Sequence, residues 1–332
     1  MSRESPSAVT HVPVKQGQRR DMSLRVPEEG RFESLVKHHK AVEDRVIGDD
    51  LPPRARQVGY QRVSLDSSVP QGEFASLLIL RQESGQKLGL GQTSVVVHAL
   101  RGAMIRAAEA ISIEAKRLVS GHADDGSVLR NEPHLAYLPL GFVGHEHADG
   151  HLMGVALGIP KGLPTEKEDI VYRCLGSLLS DSFAIRLVMG AVGEMILEHE
   201  DRPLPPWALR TGTWSDSSLH WASVTPIVLD RMQNRRRSDP EGWAAVQVAE
   251  MCERQGLPRP DQVVVRPVSF LIGAPACRSM PPLRRKDGSS QRMVHAHLSW
   301  CRKVAGPLSL GAGRFKGYGL CKPCESWEGR TC

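Results

Sequence analysis

Apolar positions along this chain fall into short compact runs separated by polar turns, with one clear helical stripe among them. Phe74 to Leu80 is a run of strand length. Thr93 stands as an N-cap before a helix to about Ala110, with Val96, Leu100, Met104 and Ala107 on one face at intervals of four and three. The segment Val119 to Asn131 reads as polar and turn-like. Leu135 to Val143 reads as a strand whose breakers, Pro139 and Gly141, favour an edge or a bulge. After a turn over His145 to Gly150 come a strand at Leu152 to Ile159, a helix at Glu166 to Leu179 and a last strand at Phe183 to Met189. Strand, helix, strand, strand, helix, strand is the split βαβ order of a ferredoxin-like domain.

Pro203-Leu204-Pro205-Pro206 separates a second, less regular unit. Val224 to Leu229 reads as a strand, Trp243 to Gln255 as a helix, and Val263 to Phe270 and Val294 to Trp300 as further strands. The pattern therefore predicts an α+β chain of tandem ferredoxin-like domains, at 73–202 and 203–332. Before them, 1–72 reads as an arm: disordered over 1–21, then a short apolar start at Leu24 to Val26 and a helical pattern through Phe32, Leu35 and Val36.

The second unit ends in Gly311-Ala312-Gly313-Arg314-Phe315-Lys316-Gly317-Tyr318-Gly319. Glycines permit φ > 0 and close backbone approach, and cations interleaved with aromatics suit a ligand of phosphates and flat bases. A plain strand connection at a sheet edge is the alternative reading of the same residues. A dinucleotide fingerprint is excluded, because it requires a following helix and Leu320-Cys321-Lys322-Pro323 comes next. No Gly-Lys-Ser/Thr occurs, so a P-loop is excluded too, and no cofactor is expected.

Composition changes this picture little. Of 332 residues, 40% are hydrophobic and 24% charged, which is ordinary for a globular protein. A net charge of +6 permits an anionic partner without demanding one. No apolar run is long enough for a membrane span and Met1 to Asp21 lacks a signal-peptide core, so a cytoplasmic address is expected. The seven cysteines include Cys321 and Cys324, with Cys301 and Cys332 nearby, but a zinc site lacks its second closely spaced pair.

Histidine is the informative residue. Five of 13 fall between His122 and His151. His145, His147, Asp149 and His151 nearly spell the His-x-His-x-Asp-His of metal-dependent hydrolases, but Gly150 displaces the last imidazole and a strand follows in place of a helix. A hairpin turn with hydrogen-bonded histidines is the plainer reading, and no bound metal is expected. His122 lies in a flexible loop, Ser120-Gly121-His122-Ala123-Asp124-Asp125-Gly126, where an imidazole can exchange protons with a bound substrate. A loop histidine bonded to a neighbouring carboxylate is the alternative.

Ser120-Gly121-His122, Pro133 to Leu140, Val143 to Gly150, Val224 to Arg231, Gly306-Pro307-Leu308 and Gly311 to Leu320 together resemble the type I-U (I-G) fused subunit of the RAMP superfamily of CRISPR RNA-handling proteins. The resemblance covers about 95–322. It implies a repeat-cleaving endoribonuclease that retains its crRNA within a type I interference complex, with CRISPR repeat RNA and the other subunits of that complex as partners. Only a remnant, roughly Leu24 to Val63, stands where that family has its N-terminal handle-capping RAMP module.

The implied chemistry is metal-free attack of a ribose 2′-hydroxyl on the adjacent phosphate. His122 is then the acid or base, Lys116 or Arg117 the cation, and His145 and His147 the alternative catalytic pair. Arg314, Lys316 and the amides of 311–319, those of Gly311, Gly313, Gly317 and Gly319 among them, would hold the RNA backbone. Phe315 or Tyr318 would stack on a base or fill core. Arg284, Arg285 and Lys286 would grip a repeat hairpin or form a solvated loop. A non-catalytic crRNA-binding subunit and a metal-dependent hydrolase remain the competing readings.

Overall fold

The structure, a computed structural model, describes residues 10–13, 22–26, 30–44, 56–63, 69–129, 132–231, 239–285 and 287–326. It divides into two compact units, 1–68 and 69–332. The first holds strands β1 (Thr10–Pro13), β2 (Met22–Val26) and β3 (Arg56–Val63), with helix α1 (Arg31–Glu43) between β2 and β3. Its sheet has the order β1-β3-β2, with both pairings antiparallel. Glu33 in the first turn of α1 and Lys40 in the last complement the helix dipole. The arm expected to be disordered over 1–21 thus contains a strand at Thr10–Pro13, and the rest of that stretch lies outside the described residues.

The second unit opens with β4 (Phe74–Gly85), α2 (Thr93–Glu109), α3 (Ile113–Ser120), β5 (Ala136–Gly141), β6 (Leu152–Pro160), α4 (Thr165–Gly176), β7 (Ala184–Val188) and β8 (Glu194–His199). The sheet order β5-β6-β4-β8-β7, antiparallel throughout, is the ferredoxin-like arrangement with β8 as its fourth strand and β7 added outside it. The segment expected as the last strand is therefore the extra edge, and Glu194–His199 takes the place beside β4. β5 is an edge strand, as Pro139 requires, and its register shifts between Leu140 and Gly141.

The segment read as turn from Val119 to Asn131 begins instead in α3, whose last two residues are Val119 and Ser120. Ser112 caps α3, accepting from the Ala115 amide (3.0 Å), and Gly121 ends it at φ +68°. Thr93 proves to be the first helical residue of α2 rather than its cap, with its hydroxyl donating to the Leu90 carbonyl (2.6 Å).

The second half runs through α5 (Gly212–Ser215), β9 (Ser218–Ser223), β10 (Ile227–Val228), α6 (Pro240–Arg254), β11 (Gln262–Arg266), β12 (Met293–Val304) and β13 (Cys321–Cys324). Asp239 caps α6 by accepting from Gly242 (2.8 Å), with Pro240 in the first turn. The expected strand over Val224 to Leu229 is instead split, because Pro226 has no N–H to donate to a ladder. β12 pairs with β11 on one side and β9 on the other, and β13 pairs with β9, all antiparallel. The order β11-β12-β9-β13 repeats the ferredoxin-like plan, with residues 305–320, the glycine-rich stretch, where the second helix would stand.

The two halves share a core. Trp214, Phe270 and Leu320 belong to the same buried cluster as Leu100, Tyr137 and Val155 of the first sheet. The glycine-rich stretch also docks on the β5 edge, the Tyr137 amide donating to the Phe315 carbonyl (3.2 Å) beside a parallel bridge between Tyr137 and Lys316. That contact positions the site.

Candidate nucleic-acid interface

α2 buries Val96, Val97, Leu100, Met104 and Ala108. Arg101 lies on the same stripe, one turn from Val97 and from Met104, where a cation is out of place unless it has partners. Its partner is the end of α3. The Ser120 carbonyl, orphaned at the helix terminus, accepts from the Arg101 guanidinium at 2.5 Å. The same oxygen lies 2.8 Å from Nδ1 of His122, and Arg101 stands 3.1 Å from that nitrogen. Nδ1 serves one of these partners at a time: protonated it donates to the Ser120 carbonyl, which leaves Nε2 as the basic nitrogen, and unprotonated it accepts from Arg101, which can only donate.

His122 is fixed from its own backbone as well. Its amide donates to Ser120 Oγ (3.1 Å), and it bridges Val128 across a tight loop turned by Gly126 at φ +78°.

His134 connects this hinge to the glycine-rich stretch. Its ring is buried, with Nδ1 3.0 Å from the Glu132 carbonyl, and its centroid is 3.9 Å from that of Phe315. Burial holds its imidazole below the usual histidine range, against the pull of the Glu132 carbonyl, and the nearby charges of Arg314, His122 and Arg101 push the same way as burial. The guanidinium of Arg314 lies over Phe315, 4.2 Å from the ring centroid, and its Nε donates to Glu73 (2.6 Å). The Lys316 ammonium is pushed down from its ordinary value by burial and then by the charge of Arg101. Arg101, His122, His134, Arg314, Phe315 and Lys316 thus form one basic neighbourhood built from both halves of the unit.

Other expected residues stand elsewhere. Lys116 is held by Glu109 (2.9 Å), whose hydrogen bond and charge push its ammonium up, and Arg117 pairs with Glu132 (2.7 Å). Arg101, which the sequence reading passed over, is the cation at His122. Its signal was a charge on an apolar helical stripe.

His145 and His147 lie in the turn beyond Gly141, at the far end of β5 from Tyr137, roughly 13 Å along the strand. Their partners are local: the His147 amide donates to His145 Nδ1 (3.2 Å), and His147 pairs with Glu146 (3.3 Å). His151 pairs with Asp149 (2.5 Å) and lowers that carboxyl. Among the described residues no group of three or more His, Cys, Asp or Glu is arranged to hold a metal ion.

Part of the glycine-rich stretch is spent inside the chain. Its amides at Ala312, Arg314, Lys316, Tyr318 and Gly319 donate to carbonyls of Val228, Gly311, Gly313, Gly313 and Pro226, while those of Gly311, Gly313, Phe315 and Gly317 make no such bond among the described residues. Tyr318 is buried and its hydroxyl donates to the Pro281 carbonyl (2.7 Å), so it fills core rather than offering a face for stacking. The glycines serve packing: a Cβ on Gly319 (φ +72°) would lie 1.8 Å from the Leu310 carbonyl oxygen, and one on Gly313 would lie 2.7 Å from Tyr318 Cβ. Arg284 and Arg285 belong to a tight turn, donating to the carbonyls of Gly288 and Asp230, and Lys286 lies outside the described residues.

Two antiparallel sheets of ferredoxin-like order, meeting at a cleft that carries histidine and cations, define a tandem ferredoxin-like α+β protein. The chain belongs to the CRISPR-associated protein GSU0054 family, whose model matches residues 3–323. No curated protein matches it. Among solved structures it is similar to a CRISPR-associated protein Cas6, at 11% identity over 75% of this chain and 98% of that one, with a TM-score of 0.36. It is also similar to Csf5, a type IV Cas6 crRNA endonuclease, at 13% identity over 75% and 98% (TM-score 0.33). A Cas6 product complex matches at 14% identity over 76% and 99% (TM-score 0.32). No helix among the described residues is long and apolar enough to cross a membrane.

Proposed function

We propose that this chain is a CRISPR repeat endoribonuclease of the type I-U fused-subunit kind, which cuts precursor crRNA without a metal and keeps its product within a type I interference complex. The observation that carries this reading is the meeting of His122 with Arg314-Phe315-Lys316 through His134 and Arg101. An imidazole with Nε2 free beside cations is the equipment that 2′-hydroxyl attack requires.

His122 Nε2 takes the 2′-hydroxyl proton as O2′ bonds to phosphorus. The P–O5′ bond then breaks, and the departing oxygen takes a proton. The products are a 2′,3′-cyclic phosphate and a 5′-hydroxyl. Arg101 and Lys316 offset the charge of the phosphorane, and an ammonium, less basic than a guanidinium, is the better proton donor of the two. The need for a 2′-hydroxyl restricts cutting to RNA.

The test is cleavage of labelled repeat RNA with and without EDTA, with the product ends determined. Cutting is expected to persist in EDTA, to leave a cyclic phosphate, and to fall by about 10²–10⁴-fold in His122→Ala while RNA binding is kept. Cutting that EDTA abolishes, and that depends on His145 and His147, would establish the metal-dependent reading in its place. Binding without cutting by the native protein would make it a non-catalytic crRNA-binding subunit.

A further inference from the structure

Against the loop that carries His122, which bridges Val128, runs a groove of about 820 Å³, walled by Val128 and Leu129, Met251 at the end of α6, and Arg314 with Glu73. Gly311 and Ala312 also line it, and their small size leaves it deep. Its two arginines are already neutralised. Arg254 pairs with Asp230 at 2.5 Å, and Arg314 with Glu73 at 2.6 Å. A phosphate entering here would meet two carboxylates as well as two cations. Apolar walls and a cancelled charge suit a flat, weakly polar ligand instead.

The platform for such a ligand is Arg314. Its guanidinium rests on the Phe315 ring at 4.2 Å and is pinned by Glu73 through Nε, so its plane is fixed before anything binds. Phe315 itself is occupied by Arg314 and by His134. Glu73 has one carboxylate oxygen on Arg314, and its second makes no hydrogen bond among the described residues.

We infer that this groove is a nucleobase subsite next to the scissile phosphate, in which Arg314 is a stacking platform and not a phosphate clamp, and the second oxygen of Glu73 accepts from the exocyclic amine of the seated base. Guanidinium planes stack on bases, and an acceptor-only carboxylate selects bases that present an N–H₂ edge. The inference rests on the reading that the chain binds repeat RNA, and it assigns Arg314 and Glu73 to substrate selection.

The experiment uses repeat RNA made uncleavable by a 2′-deoxy nucleotide at the cut site, with abasic nucleotides introduced one position at a time. One position beside the cut is expected to weaken binding to the native protein about ten-fold, the scale of one base stacked on a protein side chain. In Arg314→Lys, which keeps the charge and loses the plane, that abasic substitution costs nothing further. In Arg314→Ala the salt dependence of binding keeps its slope. At the same position, a base analogue without its exocyclic amine weakens binding to the native protein and not to Glu73→Gln.

A slope lowered by about one in Arg314→Ala, with no single sensitive base, would mark Arg314 as a phosphate contact and overturn the subsite while leaving the nuclease reading intact. An RNA bound with no sensitive abasic position does the same. Failure to bind repeat RNA at all overturns both.

Discussion

A single methyl group at position 121 tests whether the hinge and the glycine-rich stretch are one mechanical unit. Gly121 has φ +68°, and a Cβ there would stand 2.5 Å from Cδ2 and 2.6 Å from Nε2 of His134. The ring cannot swing away freely, since its Nδ1 is 3.0 Å from the Glu132 carbonyl and its face is against Phe315. The left-handed conformation costs an L-residue about 1–2 kcal/mol, and overpacking a filled site costs about 1–3 kcal/mol more.

Gly121→Ala should therefore lose about 3 kcal/mol, or about 6–12 °C in Tm for a unit of this size. Gly126→Ala is the control: it has φ +78° but nothing within 4 Å of the added Cβ, so it bears the backbone cost alone, about 2–8 °C. Repeat-RNA cleavage by Gly121→Ala at a temperature where it stays folded should fall about 10²-fold, since a shift near 1 Å at a reacting group has that effect. Gly126→Ala should cut close to normally. If the two variants melt together and cut alike, the His134 ring yields easily and the proposed coupling between His122 and Phe315 is wrong.

Replacing Arg101 by Met should lower cleavage by about 10²–10³-fold while RNA affinity stays within a few-fold, as expected for a charge used mainly in the transition state; equal losses in rate and affinity would make Arg101 a binding residue. His295 gives a pH dependence of stability. Its Nε2–H donates to the Pro275 carbonyl (2.8 Å) and its Nδ1 accepts from Ser223 Oγ (2.9 Å), a network complete in the neutral ring, and burial pushes its pKa down to about 4. The unfolded chain takes up the proton first, so stability should be full above about pH 6.5 and fall by about 3 kcal/mol as pH drops to 4. Denaturant titrations at several pH values should show this loss in the native protein and less of it in His295→Gln, and an unchanged pH profile in that variant would refute the assignment.

Much of the first fold was legible because its elements are long and their apolar periods clean. β6 and α2 lie within a residue or so of where a compact apolar run after a turn and the four-and-three spacing put them. β8 was missed because glutamates and a histidine dilute its two buried positions, Met195 and Leu197. α3 was missed although Ser112 and Gly121 mark both its ends, since its eight residues carry too short a stripe to stand out.

In the site, His122 and the Arg314–Lys316 stretch were visible as residue types in unusual company. Their meeting was not, because it depends on the Tyr137–Phe315 backbone contact, which no local pattern encodes. Nor could spacing reveal that His145 and His147 end up at the far end of β5 from Tyr137, or that Tyr318 turns inward.

The absence of a second helix between β12 and β13 has an evolutionary corollary. In residues 305–320 the turns are held by glycines and by backbone bonds, while Arg314, tied to Glu73 and Phe315, and the exposed Lys316 are not bound to a helical register. A helix in that place would tie each side chain to a packing register. Side chains on this stretch can therefore be exchanged one at a time on an unchanged frame, without refolding.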